Sequence, residues 1–284
     1  MLVLTTSGCL FADKTSAGRS LHNAPKVLRR SPSVAITIQF WSRLVRLGTL
    51  TSVPPPDPGL QLTGVMDPRT GLAYYAVKGS PKPAVVFDGN TLYALIPSAK
   101  PNDARPWIST VANKKLTDYQ LDPTAVPASL AAFALRPSLL IDLLSGALTG
   151  SIHRVGPATV QGVATTEYTA KFVIDQALTD ATRTSYSQKQ QDDLDKVFKV
   201  LGISTGDLDV GAAWIDAQGN PRRLQLALRE SPSPQSKILL LVDMQLTPQS
   251  TPAVLPVPAP NTVETVPSLS QYVAPLHARL GGAA

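Results

Sequence analysis

Apolar and polar residues alternate along most of this chain. In SVAITIQFW, Val34, Ile36, Ile38 and Phe40 fall on one side, and Thr37 and Gln39 on the other. A period of two marks a half-buried strand. GLQLTGV repeats it, with Leu60 and Leu62 opposite Gln61 and Thr63. The turn-forming DPRTG then leads into LAYYAV, and the turn DGN joins AVVF to TLYALIP. Further strands are predicted at GSIHRV, VATTEYTAKFVI, GAAWID, RRLQLALRE and SKILLLVDMQL. In the last three stretches with clear alternation, Phe172, Leu226, Leu240 and Val242 share the apolar side.

The period changes in the middle. PASLAAFALRPSLLIDLLSGAL carries Phe133, Leu139, Leu140, Leu143 and Leu144 at helical spacing. It predicts two short helices, with Pro137 opening the second and Gly146 near its end. SQKQQDDLDKVFKVLG predicts a further amphipathic helix, with Leu194, Val197, Phe198 and Leu201 as its stripe. Prolines 54–56 and 58 forbid regular structure there, and the Pro-rich stretch from Pro248 predicts an extended strap over the sheet. Residues 10–32 are polar without a clear period and predict a flexible tether. The order of strands and helices gives an α+β class with a mainly antiparallel sheet and helices on one face.

Composition narrows the functional classes. At 43% apolar and 16% charged residues, 284 residues suffice for a sizeable core. The net charge of +6 is scattered, with no basic run and no aromatic interleaving, so nucleic acid is not an expected partner. No apolar run is long enough for a transmembrane helix. Nucleotide, zinc-protease and nucleophile-elbow motifs are all missing. His22, His153 and His277 are far apart in sequence, and Asp192, Asp193 and Asp195 sit where the solvated side of a helix is expected. The reading is therefore of a protein without catalytic residues, metal or cofactor.

One residue remains unabsorbed. Cys9 is the only cysteine, and it follows Thr6, Ser7 and Gly8. It is either a stray thiol in a tail or the acceptor of a lipoprotein signal, in which small residues precede the modified Cys. The basic and apolar regions of a signal peptide are too short here, so the second reading expects a start further upstream.

Four segments in order resemble the LppX/LprG-type lipoproteins of actinobacteria. They are DGNTLYALIP with RPWIST, VQGVATTEYTAKFVI, AAWIDAQGNPRRLQL, and LVDMQLTPQSTPAVLPVPAPNTV. The resemblance spans roughly residues 33–265. It implies a LolA/LolB-like fold: a curved antiparallel half-barrel sheet covered by a few helices on its concave face. It divides the chain into a lipobox remnant and tether (1–32), a lipid-binding domain (33–265) and a C-terminal tail (266–284). It further implies that the protein binds or carries an acylated lipid or glycolipid, and is lipid-anchored through Cys9 to the cell membrane on its extracytoplasmic side. The alternative is a non-enzymatic envelope sensor or scaffold of the same fold that binds a protein partner. The family offers no catalytic residues. The expected lining consists of Ile36, Ile38, Phe40, Leu60, Leu62, Phe133, Leu139, Leu140, Leu143, Leu144, Phe172, Leu226, Leu240 and Val242.

Overall fold

The alternating segments assemble into one sheet. The computed structural model describes residues 7–42, 60–77, 85–88, 91–95, 105–111, 137–147, 149–173, 208–229 and 238–265. The strands are β1 (Ser33–Ser42), β2 (Leu60–Met66), β3 (Ala73–Val77), β4 (Val85–Asp88), β5 (Thr91–Leu95) and β6 (Trp107–Val111). They continue as β7 (His153–Val160), β8 (Val163–Val173), β9 (Leu208–Asp216), β10 (Pro221–Arg229), β11 (Ile238–Gln249) and β12 (Val263–Thr265). The sheet is large, curved and unclosed. Its order is β12-β6-β5-β4-β3-β2-β1-β11-β10-β9-β8-β7.

The expected antiparallel sheet is in fact mixed. Every described pairing is antiparallel except β12 on β6, which is parallel. The reason is the strap. After β11, in mid-sheet, residues 250–262 cross from the end of the sheet level with Val111 of β6 to the opposite end, where Val263 pairs with Trp107 at the far edge. Seven strand spacings are about 33 Å, and an extended polyproline chain of this length reaches about 40 Å. Ala259 has polyproline dihedrals, φ −65° and ψ 139°. Ser33 Oγ donates to the Thr251 carbonyl at 2.7 Å where the strap begins, and Ser109 and Thr265 hydroxyls meet at 3.2 Å where it ends.

Register carries the apolar alternation across the sheet. Ile38 lies between Leu62 and Met244, and Leu226 is opposite Val242. Because the side-chain period is two, these residues share one face. Gly211 permits a close approach there: a Cβ on it would lie 2.6 Å from Phe172 Cε2. The β9–β10 hairpin is held by Asp216, whose side chain is fully buried. Its Oδ1 accepts the backbone N–H groups of Gln218 (3.0 Å) and Asn220 (2.8 Å), and its Oδ2 accepts Arg222 Nε at 2.7 Å.

The tether predicted over residues 10–32 is replaced by a helix, α1 (Ser7–Leu28). Ala17, Leu21, Ala24 and Leu28 are buried along one side of it. Their spacing of four, three and four is helical. Two alanines and two leucines among polar residues make too faint a stripe to stand out in the sequence, and it takes effect only against a receiving surface. That surface is β7, β9 and β10 together with the turn after the second described helix, α2 (Pro137–Asp142). The helices expected around Phe133 and over 187–202 lie outside the described residues.

Candidate functional site

The leucine-rich segment forms a lid over the apolar sheet face. Pro137 opens α2, its fixed φ suiting the first helical position. Asp142 ends it, and a 3-10 turn, Leu143–Gly146, follows. Leu140, Leu143 and Leu144 are each buried. Between lid and sheet is a cavity of about 20 Å³, lined by these three leucines, Phe172, Ala212, Leu224, Gln225, Leu226, Val242 and Met244. Gln225 is the one lining residue with a polar side chain, and its Nε2 donates to Asp243 at 2.9 Å. The volume is room for about one water-sized molecule. The space is apolar, and at this size it does not hold a long hydrocarbon chain.

Six of the residues nominated from sequence meet at this cavity: Leu140, Leu143, Leu144, Phe172, Leu226 and Val242. Ile36, Ile38 and Leu62 are buried further along the sheet. Phe40, Leu60 and Leu240 lie in their strands and Leu139 in α2, but their side chains, like Phe133 as a whole, lie outside the described residues. Leu224 and Met244 were not nominated. Both occupy the same alternation as Leu226 and Val242, which is the signal that identifies them.

Two polar contacts hold the lid to α1. Arg29 of the chain just past α1 donates to the Asp142 carboxylate, and His22 Nε2 hydrogen-bonds the Ala147 carbonyl at 2.8 Å. Ala147 also bridges to Phe172 in β8. Asp142 is 5% exposed. Burial raises its carboxyl pKa to about 6, outweighing the lowering by Arg29, whose side chain is 38% exposed.

This has a consequence for pH. The folded pKa lies above the unfolded value, so the folded state binds the extra proton. The resulting stability is fully present below pH about 4 and is lost as pH rises through about 6. The difference of roughly two pH units corresponds to about 3 kcal/mol. Asp142→Asn should cancel this component. Melting curves of wild type and variant between pH 4 and 7 should therefore diverge as pH rises, the variant becoming relatively more stable. Parallel pH profiles would contradict it.

The other side of the sheet carries a charged pair on β10 and β11. Arg223 forms a two-bond pair with Asp243, 2.9 Å from Nε and 2.5 Å from Nη2. Its guanidinium lies 4.7 Å from the centre of the Trp214 ring. The Asp243 hydrogen bond raises the Arg223 pKa, so this charge is permanently engaged. Among the described residues, no group of His, Cys, Asp and Glu is placed to hold a metal ion, and no helix is long and apolar enough to cross a membrane.

No protein-family profile matches the chain, and no curated protein matches it by sequence. Solved structures similar to it include the lipoprotein LppX of Mycobacterium tuberculosis, at 10% identity and a TM-score of 0.46, covering 85% of this chain and 99% of LppX. LprF of Mycobacterium bovis is 14% identical with a TM-score of 0.38, covering 86% of this chain and 98% of LprF. The MucA/MucB complex of Pseudomonas aeruginosa contributes a chain 13% identical with a TM-score of 0.34, covering 84% of this chain and 59% of that one.

Proposed function

We propose that this chain is a non-enzymatic lipoprotein of the cell envelope that binds an acyl chain of a lipid or glycolipid between its lid and its sheet. The observation that carries this reading is the apolar cavity under a short lid, continuous with the buried face of β1, β2 and β11. Hydrocarbon burial is worth about 0.8 kcal/mol per methylene. A chain of about 15 methylenes gains roughly 12 kcal/mol gross, of which association removes at least about 4 kcal/mol. Displacing the lid, one six-residue helix and a 3-10 turn, draws on that margin. The test is solvent extraction and lipid analysis of protein purified without detergent from its native envelope. Acylated lipid at near-stoichiometric amounts supports the reading. Protein free of lipid but bound to a partner chain would replace it with the scaffold function.

Cys9 is the proposed anchor. If it is acylated, the lipid leads directly into α1 rather than into a flexible tether. Only the eight residues from Cys9 to Ser16 precede Ala17, the first buried position among the described side chains, and as a helix they span about 12 Å, which sets a short distance between membrane and sheet. Stable anchoring needs more than one acyl chain. In an exported precursor, Cys9→Ala should move the protein from the membrane to the soluble fraction. Retention of the variant on membranes after a salt wash would exclude this anchor.

A further inference from the structure

Tyr75 differs from the other buried polar residues. Ser33, Ser109, Asp142, Thr165 and Asp216 are all buried, and each has a hydrogen-bond partner. Tyr75 in β3 is 0% exposed, and its hydroxyl has no partner among the described residues. An unsatisfied buried hydroxyl costs roughly 1–3 kcal/mol, which Phe at the same position would avoid. The ring itself gains nothing from the hydroxyl: it packs edge-on against Phe87, centres 6.3 Å apart. It also lies close over Gly64, where a Cβ would come within 2.9 Å of Tyr75 Cδ1. A donor in that position is useful only if something accepts from it.

Register places Tyr75 on the same face as the cavity. Tyr75 pairs with Gly64, Gly64 with Ile36, and Ile36 with Leu246. The next row along the strands runs Val77, Leu62, Ile38 and Met244, and Met244 lines the cavity. Three strand spacings, about 14 Å, separate Tyr75 from β11. A long acyl chain starting under the lid and crossing Ile38 and Leu62 covers that distance.

We propose that the Tyr75 hydroxyl donates a hydrogen bond to the carbonyl oxygen of an esterified acyl chain lying along this face. The proposal rests on the lipid-binding function above and adds the chemical class of the ligand: a neutral ester rather than a free fatty acid. Strands β1–β5 contain no Lys, Arg or His to balance a carboxylate. A buried, uncompensated charge is far costlier than a buried ester. Burial also raises the phenol pKa well above its ordinary value, so the group stays a donor across the accessible pH range.

The experiment uses delipidated full-length protein and three probes: dioleoylglycerol, its dialkyl ether analogue without carbonyls, and oleate. Wild type should bind the ester roughly three- to tenfold more tightly than the ether, as one hydrogen bond predicts, and should bind oleate least. Tyr75→Phe should bind ester and ether equally. Its melting temperature without ligand should be unchanged or higher. If wild type binds the lipids without preferring the ester, or if Tyr75→Phe keeps the preference, the hydroxyl is not the donor and lipid binding stands without it. If wild type binds none of the probes, the lipid-binding function itself fails.

Discussion

Leu143→Trp should abolish lipid co-purification while leaving the sheet folded. Leu143 is 2% exposed and forms part of the cavity wall. The cavity offers about 20 Å³, so an indole cannot enter without pushing the lid outward. Overpacking of this kind costs about 1–3 kcal/mol. The strand pairings do not pass through the lid, and they should survive it. The expected results are an unchanged far-ultraviolet circular dichroism spectrum, a lowered melting temperature and no extractable lipid. Leu140→Trp, on the same wall, should behave alike. Leu143→Ala serves as the opposite control: it enlarges the space at a cost of about 2–5 kcal/mol and should keep the lipid. If the Trp variants retain their lipid in full, the acyl chain lies elsewhere. If they unfold and wild type carries no lipid, the leucines are ordinary core and the scaffold function is the better account.

The second large effect is expected at the β9–β10 hairpin. Asp216→Ala removes the acceptor of Arg222 Nε and of two backbone N–H groups at once. Arg222 is 17% exposed, so its charge would remain largely buried without its partner. Breaking a buried pair from one side typically costs about 3–5 kcal/mol. For a protein of ordinary stability, that is a large fraction of the total. Asp216→Asn keeps one acceptor oxygen for the two turn N–H groups and should lose less. Denaturant unfolding of the two variants checks the order. Equal losses would mean that the charge, not the turn geometry, matters; a negligible loss from Ala would mean that the turn is held by Gly219 and Pro221 alone.

Both effects concern residues whose roles were legible to different degrees. Asp216 belongs to the WIDAQGNPRR motif, and turn chemistry there is evident in the sequence. What the sequence does not show is that the carboxylate is fully buried. Leu140, Leu143 and Leu144 were nominated from helical spacing alone, and they do meet Phe172, Leu226 and Val242 around one space. The size of that space was not legible, because packing depends on side-chain volumes from the lid and from β8, β9, β10 and β11 together. Tyr75 was not singled out, since a tyrosine in LAYYAV looks like any strand aromatic until the environment of its hydroxyl is known.

The sequence by itself determined which residues of each strand face the core. Side-chain direction in a strand alternates every residue, so Ile36 and Ile38, or Leu224 and Leu226, declare their shared face without any partner. It also determined where the chain turns, through DPRTG, DGN and AQGNP, and where the lid begins, at Pro137. Tertiary structure alone decided the rest. It made a packed helix of residues 7–28, because Ala17, Leu21, Ala24 and Leu28 form a stripe only when a sheet surface receives them. It set β12 parallel to β6, because the strap leaves β11 at one end of the sheet and enters the far edge from the other. It also brought Arg29 to Asp142, 113 residues apart in the chain. Such contacts depend on surfaces meeting in space, and no local period along the chain encodes them.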